Sequence, residues 1–137
     1  MRKASLEEVV QDMVELNTES GAQHHTVEEL MSLVEFEEDG CTLKSWDLWG
    51  QELTALPESI GDLTVSGDLI LGENQLTTLP ESFGSLTVGR DLYLDENQLT
   101  TLPESFGCLT VGGTLYLRQN QLTTLPETFP NVKRVRR

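Results

Sequence analysis

The chain has 137 residues and a formal net charge of −14 at pH 7. This length fits one domain, with room for at most a small subdomain. The strong negative charge disfavours direct binding to nucleic acid, which requires basic surface, and it equally disfavours an anionic membrane surface. No run of apolar residues in the sequence is long enough to span a bilayer.

The first residues, MRKASLEEVV, become acidic and amphipathic at once, unlike a secretory signal. The two cysteines, Cys41 and Cys108, are far apart in the sequence, so a disulfide framework is not expected. Free thiols suit a reducing compartment. These features together predict an intracellular, cytoplasmic protein without a signal peptide.

Two helices are predicted at the start of the chain. Ser5 followed by Glu8 forms a capping box, and apolar residues at helical spacing predict a helix from about residue 5 to residue 17. Thr26 followed by Glu29 repeats the box, and a second apolar stripe leads to Gly40, a suitable helix stop. We interpret residues 1–42 as a helical hairpin that caps the rest of the chain, residues 43–137. The alternative is a helical module with a partner of its own.

The sequence offers no constellation for catalysis or metal binding. His24 and His25 are adjacent in the predicted hairpin loop, without carboxylates or cysteines at ligand spacing. There is no CxxC pair, no Ser–His–Asp set and no glycine-rich phosphate loop. We therefore expect no cofactor, no metal and no enzymatic activity.

From Trp46 onward the sequence repeats every 23 residues, in the units 46–68, 69–91, 92–114 and 115–137. Apolar residues recur in register in each unit, and a polar position recurs with them. The apolar columns are Trp46, Leu69, Leu92, Leu115; Leu48, Leu71, Leu94, Leu117; Leu53, Leu76, Leu99, Leu122; and Leu56, Leu79, Leu102, Leu125. Self-similarity at such a period predicts a solenoid, in which stacked neighbours bury a shared core.

One unit contains the signals for a strand, a turn and a short helix. Leu92, Tyr93 and Leu94 alternate as in a strand, so the units should form a short parallel sheet. Asn97 follows as the turn residue, and Asn74 and Asn120 occupy the same place in their units. We expect this asparagine column to be structural, with side-chain amides bonded to backbone groups of the turns.

After the turn, Pro103 should begin a short helical or 3₁₀ turn, and Gly107 should end it. Phe106, Leu109 and Val111 are expected to close the core from the outer side.

These residues resemble the leucine-rich repeat signature, L-x-x-L-x-L-x-x-N-x-L. Leu92, Leu94, Asn97 and Leu99 match it, and the segment L-P-E-S-F-G-x-L resembles the 23-residue repeat class of short bacterial or viral intracellular proteins. The resemblance covers residues 46–137. It implies an α/β leucine-rich repeat solenoid, with a short parallel β-sheet on the concave face and turns or 3₁₀ helix on the convex face.

The sequence departs from that signature at its first leucine. Ser66, Gly89 and Gly112 stand where this leucine would fall. Val65, Val88 and Val111 stand one place earlier in their units. We expect these valines to fill the space.

The sheet face that points away from the core is the candidate binding surface. Trp49, Ile70, Tyr93 and Tyr116 are expected to form an apolar stripe among acids, and Tyr and Trp are favoured interface anchors. Arg118 is the lone cation expected there. The predicted partner-binding residues are Asp47, Trp49, Asp68, Ile70, Glu73, Asp91, Tyr93, Asp95, Glu96, Tyr116 and Arg118.

Leucine-rich repeat relatives commonly bind other proteins, so the resemblance implies a protein–protein interaction module. The negative charge predicts a basic partner, although charge that serves only solubility is the plainer interpretation. One alternative is an acidic inhibitor that mimics nucleic acid and blocks the basic groove of an enzyme. Another is a structural, self-assembling module.

The end of the repeats predicts an unprotected sheet edge. The strand around Leu115–Leu117 would be the last one, because no capping helix follows it. The basic tail, residues 133–137, is expected to blunt this edge by its charge or to reach acidic carboxylates on a second copy. We expect weak self-association through this end, with a symmetric homodimer as the form.

Overall fold

The computed structural model describes residues 5–19, 26–40, 42–126 and 129–137. The predicted hairpin loop with His24 and His25 lies outside these residues, as do Cys41 and Glu127.

The N-terminal segment contains two helices of unequal length. Helix α1 spans Leu6–Glu19 and helix α2 spans only Val27–Met31. The backbone N–H of Glu8 donates to Oγ of Ser5 at 3.2 Å, and the N–H of Glu29 donates to Oγ1 of Thr26 at 3.1 Å. Both predicted helix starts are therefore confirmed.

The predicted helix as far as Gly40 is wrong. After Met31 the chain leaves the helix and forms strand β1, Val34–Phe36, so the second helix ends well before residue 42. The reason is that Val34, Glu35 and Phe36 alternate apolar and polar residues, which suits a strand at a half-buried surface. Gly40 has φ +73° and lies in the turn after β1, where its N–H donates to the Glu37 carbonyl at 2.9 Å.

Seven further strands follow β1. They are β2 (Leu43–Asp47), β3 (Thr64–Val65), β4 (Leu69–Ile70), β5 (Thr87–Val88), β6 (Leu92–Tyr93), β7 (Thr110–Tyr116) and β8 (Val132–Arg136). Strands β2, β4, β6 and the end of β7 form a parallel ladder, and β3, β5 and the start of β7 form a second one. Strand β1 pairs antiparallel with β2, placing Val34 opposite Trp46.

The opposite side of the first three repeats is a 3₁₀ helix. The three helices are Glu58–Asp62, Glu81–Ser85 and Glu104–Cys108. Each follows a proline in extended conformation, as predicted. Gly107 was predicted to end the third of them, but this helix continues to Cys108 and its cap is Leu109.

The leucine columns form one continuous core. Trp46 is fully buried and its indole Nε1 donates to the Leu30 carbonyl at 3.0 Å, so it joins the N-terminal segment to the first repeat. Phe106 and Leu109 are also fully buried, and the Phe83 and Phe106 rings stack with centroids 5.9 Å apart. The predicted outer wall of the core is confirmed.

At Gly89 the departure from the leucine-rich signature has a steric cause. A Cβ atom on Gly89 would lie 2.1 Å from the Ser66 carbonyl oxygen, so no leucine fits at this position. Val65, Val88 and Val111 are buried instead and pair in register across β3, β5 and β7. The predicted substitution of valine for the first leucine is confirmed.

The strand around Leu115–Leu117 is not a sheet edge, contrary to the sequence prediction. Strand β8 pairs parallel with β7, placing Val135 beside Leu115 and Arg136 beside Tyr116. Val132 and Val135 pack against the core. Strand β8 does not follow the 23-residue period, because Val135 comes only 20 residues after Leu115, with which it is paired. The fourth unit, 115–137, therefore contains a fifth repeat-type strand.

Candidate functional site

The strand registers determine which side chains share the sheet face that points away from the core. In a parallel ladder, paired residues point to the same side, so these side chains form rows across the strands. We call this surface the open face. Its main residues are Ser45, Asp47, Trp49, Asp68, Ile70, Glu73, Asp91, Tyr93, Asp95, Glu96, Thr114, Tyr116, Arg118, Arg134 and Arg136.

The middle row of the open face contains a stacked aromatic pair. Ile70 pairs with Tyr93, and Tyr93 with Tyr116. The two tyrosine rings lie with centroids 4.5 Å apart and within 4° of parallel. Both side chains are half-buried, so the stack presents aromatic surface to solvent.

Trp49 is displaced from this row, although the sequence suggested one continuous stripe. It lies over Gly72, where an added Cβ would meet the indole Cζ3 at 2.2 Å. Its Nε1 donates to Oε2 of Glu73 at 2.7 Å, and the residue is 37% exposed. The row of Ile70, Tyr93 and Tyr116 instead begins at Asp47, the register partner of Ile70.

Two predicted binding acids form bonds between successive repeats. Oδ1 of Asp68 accepts the backbone N–H of Asp91 at 3.0 Å, and Oδ1 of Asp91 accepts the N–H of Thr114 at 2.7 Å. The Tyr93 hydroxyl also donates to Oδ2 of Asp91 at 3.4 Å. Each carboxylate thus bonds the backbone of the next repeat and adds negative charge to the face.

The environment of Tyr93 favours its neutral form. Burial, followed by the negative charge of Asp91, raises the pKa of Tyr93 from 10.0 to about 12. The phenol therefore remains a hydrogen-bond donor at physiological pH. It lies between the carboxylate of Asp91 and the ring of Tyr116.

Of the remaining predicted acids, Asp47 ends strand β2, and Glu73, Asp95 and Glu96 lie just after strands β4 and β6. Glu73 and Glu96 have φ of 50° and 57°, a left-handed conformation that suits the tight turn before each asparagine. Oδ1 of Asp95 is buried and has no hydrogen-bond partner among the described residues. An unpaired buried carboxylate oxygen is energetically costly, so a donor that reached it would be bound favourably.

The charge of the open face is divided between its two ends. The acids lie on the side of β2, β4 and β6. The cations lie on the side of β7 and β8, because β8 adds Arg134 beside Thr114 and Arg136 beside Tyr116. The expectation that Arg118 would be the lone cation is wrong, because the sequence did not reveal β8.

The asparagine column lies directly beneath the turns that border the open face. Nδ2 of Asn97 donates to the Leu71 and Leu94 carbonyls, each at 3.0 Å, and its Oδ1 accepts the Leu76 N–H at 3.2 Å. Asn74 and Asn120 repeat this pattern one unit away on either side. Asn97 is only 5% exposed. The column links each turn to the preceding unit.

A polar anchor in helix α1 escaped the sequence analysis. Asn17 is 2% exposed, its Nδ2 donates to the Met13 carbonyl at 2.8 Å, and its Oδ1 accepts the Thr54 N–H at 2.7 Å. The only sequence signal was its place at the predicted end of the helix, next to the apolar stripe.

The Leucine Rich Repeat family pattern matches residues 90–109. This segment contains the strand β6, the turn with Asn97 and the third 3₁₀ helix. The match supports a leucine-rich repeat protein, and the other units share the period and register of the matched one. No curated protein matches it.

Leucine-rich repeats generally mediate protein–protein interaction and do not carry catalytic sites of their own. In the described part of this repeat protein, no group of three or more His, Cys, Asp or Glu side chains is placed to hold a metal ion. The described helices include none with the length and apolar character needed to cross a membrane. The ligand class that the leucine-rich repeat suggests is a protein partner.

Proposed function

We propose that this leucine-rich repeat protein binds a partner protein through the open face, and that the contacting segment of the partner is basic. The observation that carries the proposal is the stacked pair of Tyr93 and Tyr116, half-exposed between the acidic and the basic end of the open face. Large aromatic rings surrounded by polar groups are typical anchors of protein interfaces. Trp49 supplies a third ring at the border of the same surface.

The two ends of the open face would orient the partner. A cationic segment is attracted to the side with Asp47, Asp95 and Glu96, whereas Arg134 and Arg136 repel it. Complementary charge raises the association rate and selects one orientation, while buried rings slow dissociation. The unpaired Oδ1 of Asp95 offers an acceptor for an N–H donor of the partner.

The size of the face limits how much it can bind alone. Six adjacent strands, β1, β2, β4, β6, β7 and β8, give a width of roughly 24 Å at a spacing of ~4.8 Å. A standard interface buries ~800 Å² on each partner. The adjoining turns with Glu73 and Glu96 must therefore contribute to a stable complex.

Mimicry of nucleic acid fits the open face less well. A surface that replaces a phosphate backbone should carry negative charge along its whole length. Here Arg118, Arg134 and Arg136 interrupt the negative charge at one end. We therefore favour a protein partner with a limited basic segment.

The proposal can be tested by capturing partners on the immobilised chain and measuring their binding kinetics. Asp95→Lys with Glu96→Lys should slow association by tenfold or more at about 0.1 M salt, and the difference should shrink at about 1 M, where charges are screened. Glu81→Lys with Glu104→Lys makes the same charge change on the 3₁₀ side and is the matched control.

Equal association rates for the open-face variant and the control would contradict the proposal.

Duplex DNA added as a competitor separates the alternatives. DNA that displaces the chain from its partner would support mimicry, whereas a complex that resists DNA supports recognition of the partner itself.

A further inference from the structure

Two outer strands of the sheet, β1 and β8, each have one side without a paired strand among the described residues. Among the described residues, β1 pairs only with β2, and β8 pairs only with β7. An unpaired strand edge presents backbone N–H and C=O groups that can pair with another strand. The two ends of this sheet are therefore candidate contact sites.

The two edges carry opposite charge. Strand β1 and the turn after it carry Glu35, Glu37 and Glu38. Strand β8 carries Lys133, Arg134 and Arg136, all exposed. Two β8 edges facing each other would bring like charges together, and so would two β1 edges. The symmetric homodimer expected from the sequence is thus disfavoured by charge.

The side chains of β1 and β8 that face the core are also compatible with each other. On the core side, β8 carries Val132 and Val135, and β1 carries Val34, which lies opposite Trp46. Phe36 follows on β1 opposite Leu43 and is 39% exposed. Apolar residues would meet apolar residues there.

On the open-face side, Glu35 of β1 lies opposite Ser45, and Arg134 of β8 lies beside Thr114. If the two edges met, an acid and an arginine would therefore share the same side of the extended sheet. Opposite charges on neighbouring strands stabilise a pair of strands.

The strand directions agree with this arrangement. Strand β8 runs parallel to β2, because β2, β4, β6, β7 and β8 are all parallel neighbours, and β1 runs antiparallel to β2. A second copy placed after the first along the solenoid would bring its β1 beside β8 of the first copy in antiparallel orientation.

We propose that a second copy of this chain pairs its acidic β1 edge with the basic β8 edge of the first, head to tail. Such a contact leaves one β1 edge and one β8 edge free in every dimer, so it continues into longer chains unless the rotation closes a ring. This self-association goes beyond the proposed function and does not depend on it, since the tyrosine stack of the open face lies on strands between the two edges.

Sedimentation velocity of the full chain tests the proposal. At about 0.1 M salt, the weight-average mass should rise with concentration past that of a dimer, and at about 1 M salt it should fall towards that of the monomer. Glu35→Lys with Glu38→Lys reverses the β1 edge, and Arg134→Glu with Arg136→Glu reverses the β8 edge. Each variant alone should lose the larger species, and an equimolar mixture of the two should recover them. The variant Glu81→Lys with Glu104→Lys should associate like wild type.

A wild-type chain that stays monomeric at every concentration would overturn the proposal. Association retained by the Glu35→Lys, Glu38→Lys variant would overturn it as well, because β8 would then contact something other than β1. Glu35 accepts hydrogen bonds from Lys44 and Ser45, so circular dichroism must show that this variant is folded. Should it unfold, Glu38→Lys alone, in the exposed turn, should weaken association at least threefold, and no change would equally refute the pairing.

Discussion

The side chain of Asn17 bonds the backbone of Ala55 in both directions. Its Nδ2 donates to the Ala55 carbonyl at 3.0 Å, and its Oδ1 accepts the Ala55 N–H at 3.3 Å. The same Oδ1 accepts the N–H of Thr54 at 2.7 Å. The end of α1 is therefore held on the first repeat by a buried amide, in the way that Asn74 holds the turn of that repeat.

Asn17→Ala should lower the free energy of unfolding by ~1–3 kcal/mol, because backbone groups of Thr54 and Ala55 lose their buried partner. Gln11→Ala, on the exposed side of the same helix, is the control and should change stability by less than about 0.5 kcal/mol. Urea denaturation measures both. An Asn17→Ala midpoint equal to that of wild type would show that α1 does not depend on this anchor, and would count against the sequence-based prediction that residues 1–42 act as a cap.

Asn97→Ala should cost ~1–3 kcal/mol of stability for the same physical reason. The substitution leaves the carbonyls of Leu71 and Leu94 and the N–H of Leu76 without their partner. Gln98→Ala changes the next residue, which is exposed, and serves as the control. If the two variants denature at the same urea concentration, the asparagine column is not a stabilising element.

Gly72→Ala should displace the indole of Trp49. The added Cβ would lie 2.2 Å from Cζ3, so the ring must move and lose its hydrogen bond to Glu73. We expect stronger quenching of tryptophan fluorescence by iodide, since Trp46 is buried and Trp49 is the accessible ring. The same substitution in a Trp49→Phe background should leave quenching unchanged. Identical quenching in wild type and Gly72→Ala would contradict the packing of Trp49 over Gly72.

The Tyr93 phenol should titrate at unusually high pH. Because its pKa is about 12 in the folded chain and 10.0 ordinarily, the neutral phenol contributes stability at pH values below 10, and this contribution is lost as pH rises from 10 to 12. In Tyr116→Phe, Tyr93 is the remaining tyrosine, and phenolate absorbance reports it alone. The midpoint should lie clearly above 10 and should fall in Tyr116→Phe with Asp91→Asn. A midpoint of 10 in the folded single variant would refute the influence of burial and Asp91.

Much of the repeat architecture could be predicted because each position is observed several times. Leu69, Leu92 and Leu115 share one column in the sequence and one register in the sheet. A proline precedes each of the three described 3₁₀ helices, and its recurrence made these helices predictable. The prolines are Pro57, Pro80 and Pro103. A local ambiguity in one copy is resolved by the others.

The segments that occur once were harder to predict. Val34 continues the helical spacing of Leu30 and Met31, so periodicity alone assigned it to a helix, although pairing with β2 makes it a strand. Strand β8 lies off the 23-residue period, and its arginines looked like a basic tail. Because β8 was missed, the division of charge on the open face was missed as well. The bonds of Asp68 and Asp91 to the next repeat depend on backbone geometry that no residue pattern reveals.

The most direct test of the open face as the binding surface is the dissociation rate of a captured partner from Tyr93→Ala. The ring of Tyr93 stacks on Tyr116 outside the core, so the variant should remain folded and should lose ~2 kcal/mol of binding, which corresponds to dissociation about thirtyfold faster. Tyr93→Phe keeps the ring and should dissociate at nearly the wild-type rate. If Tyr93→Ala dissociates like wild type while substitutions on the exposed side of α1 abolish binding, the helices are the recognition module and the open face is not.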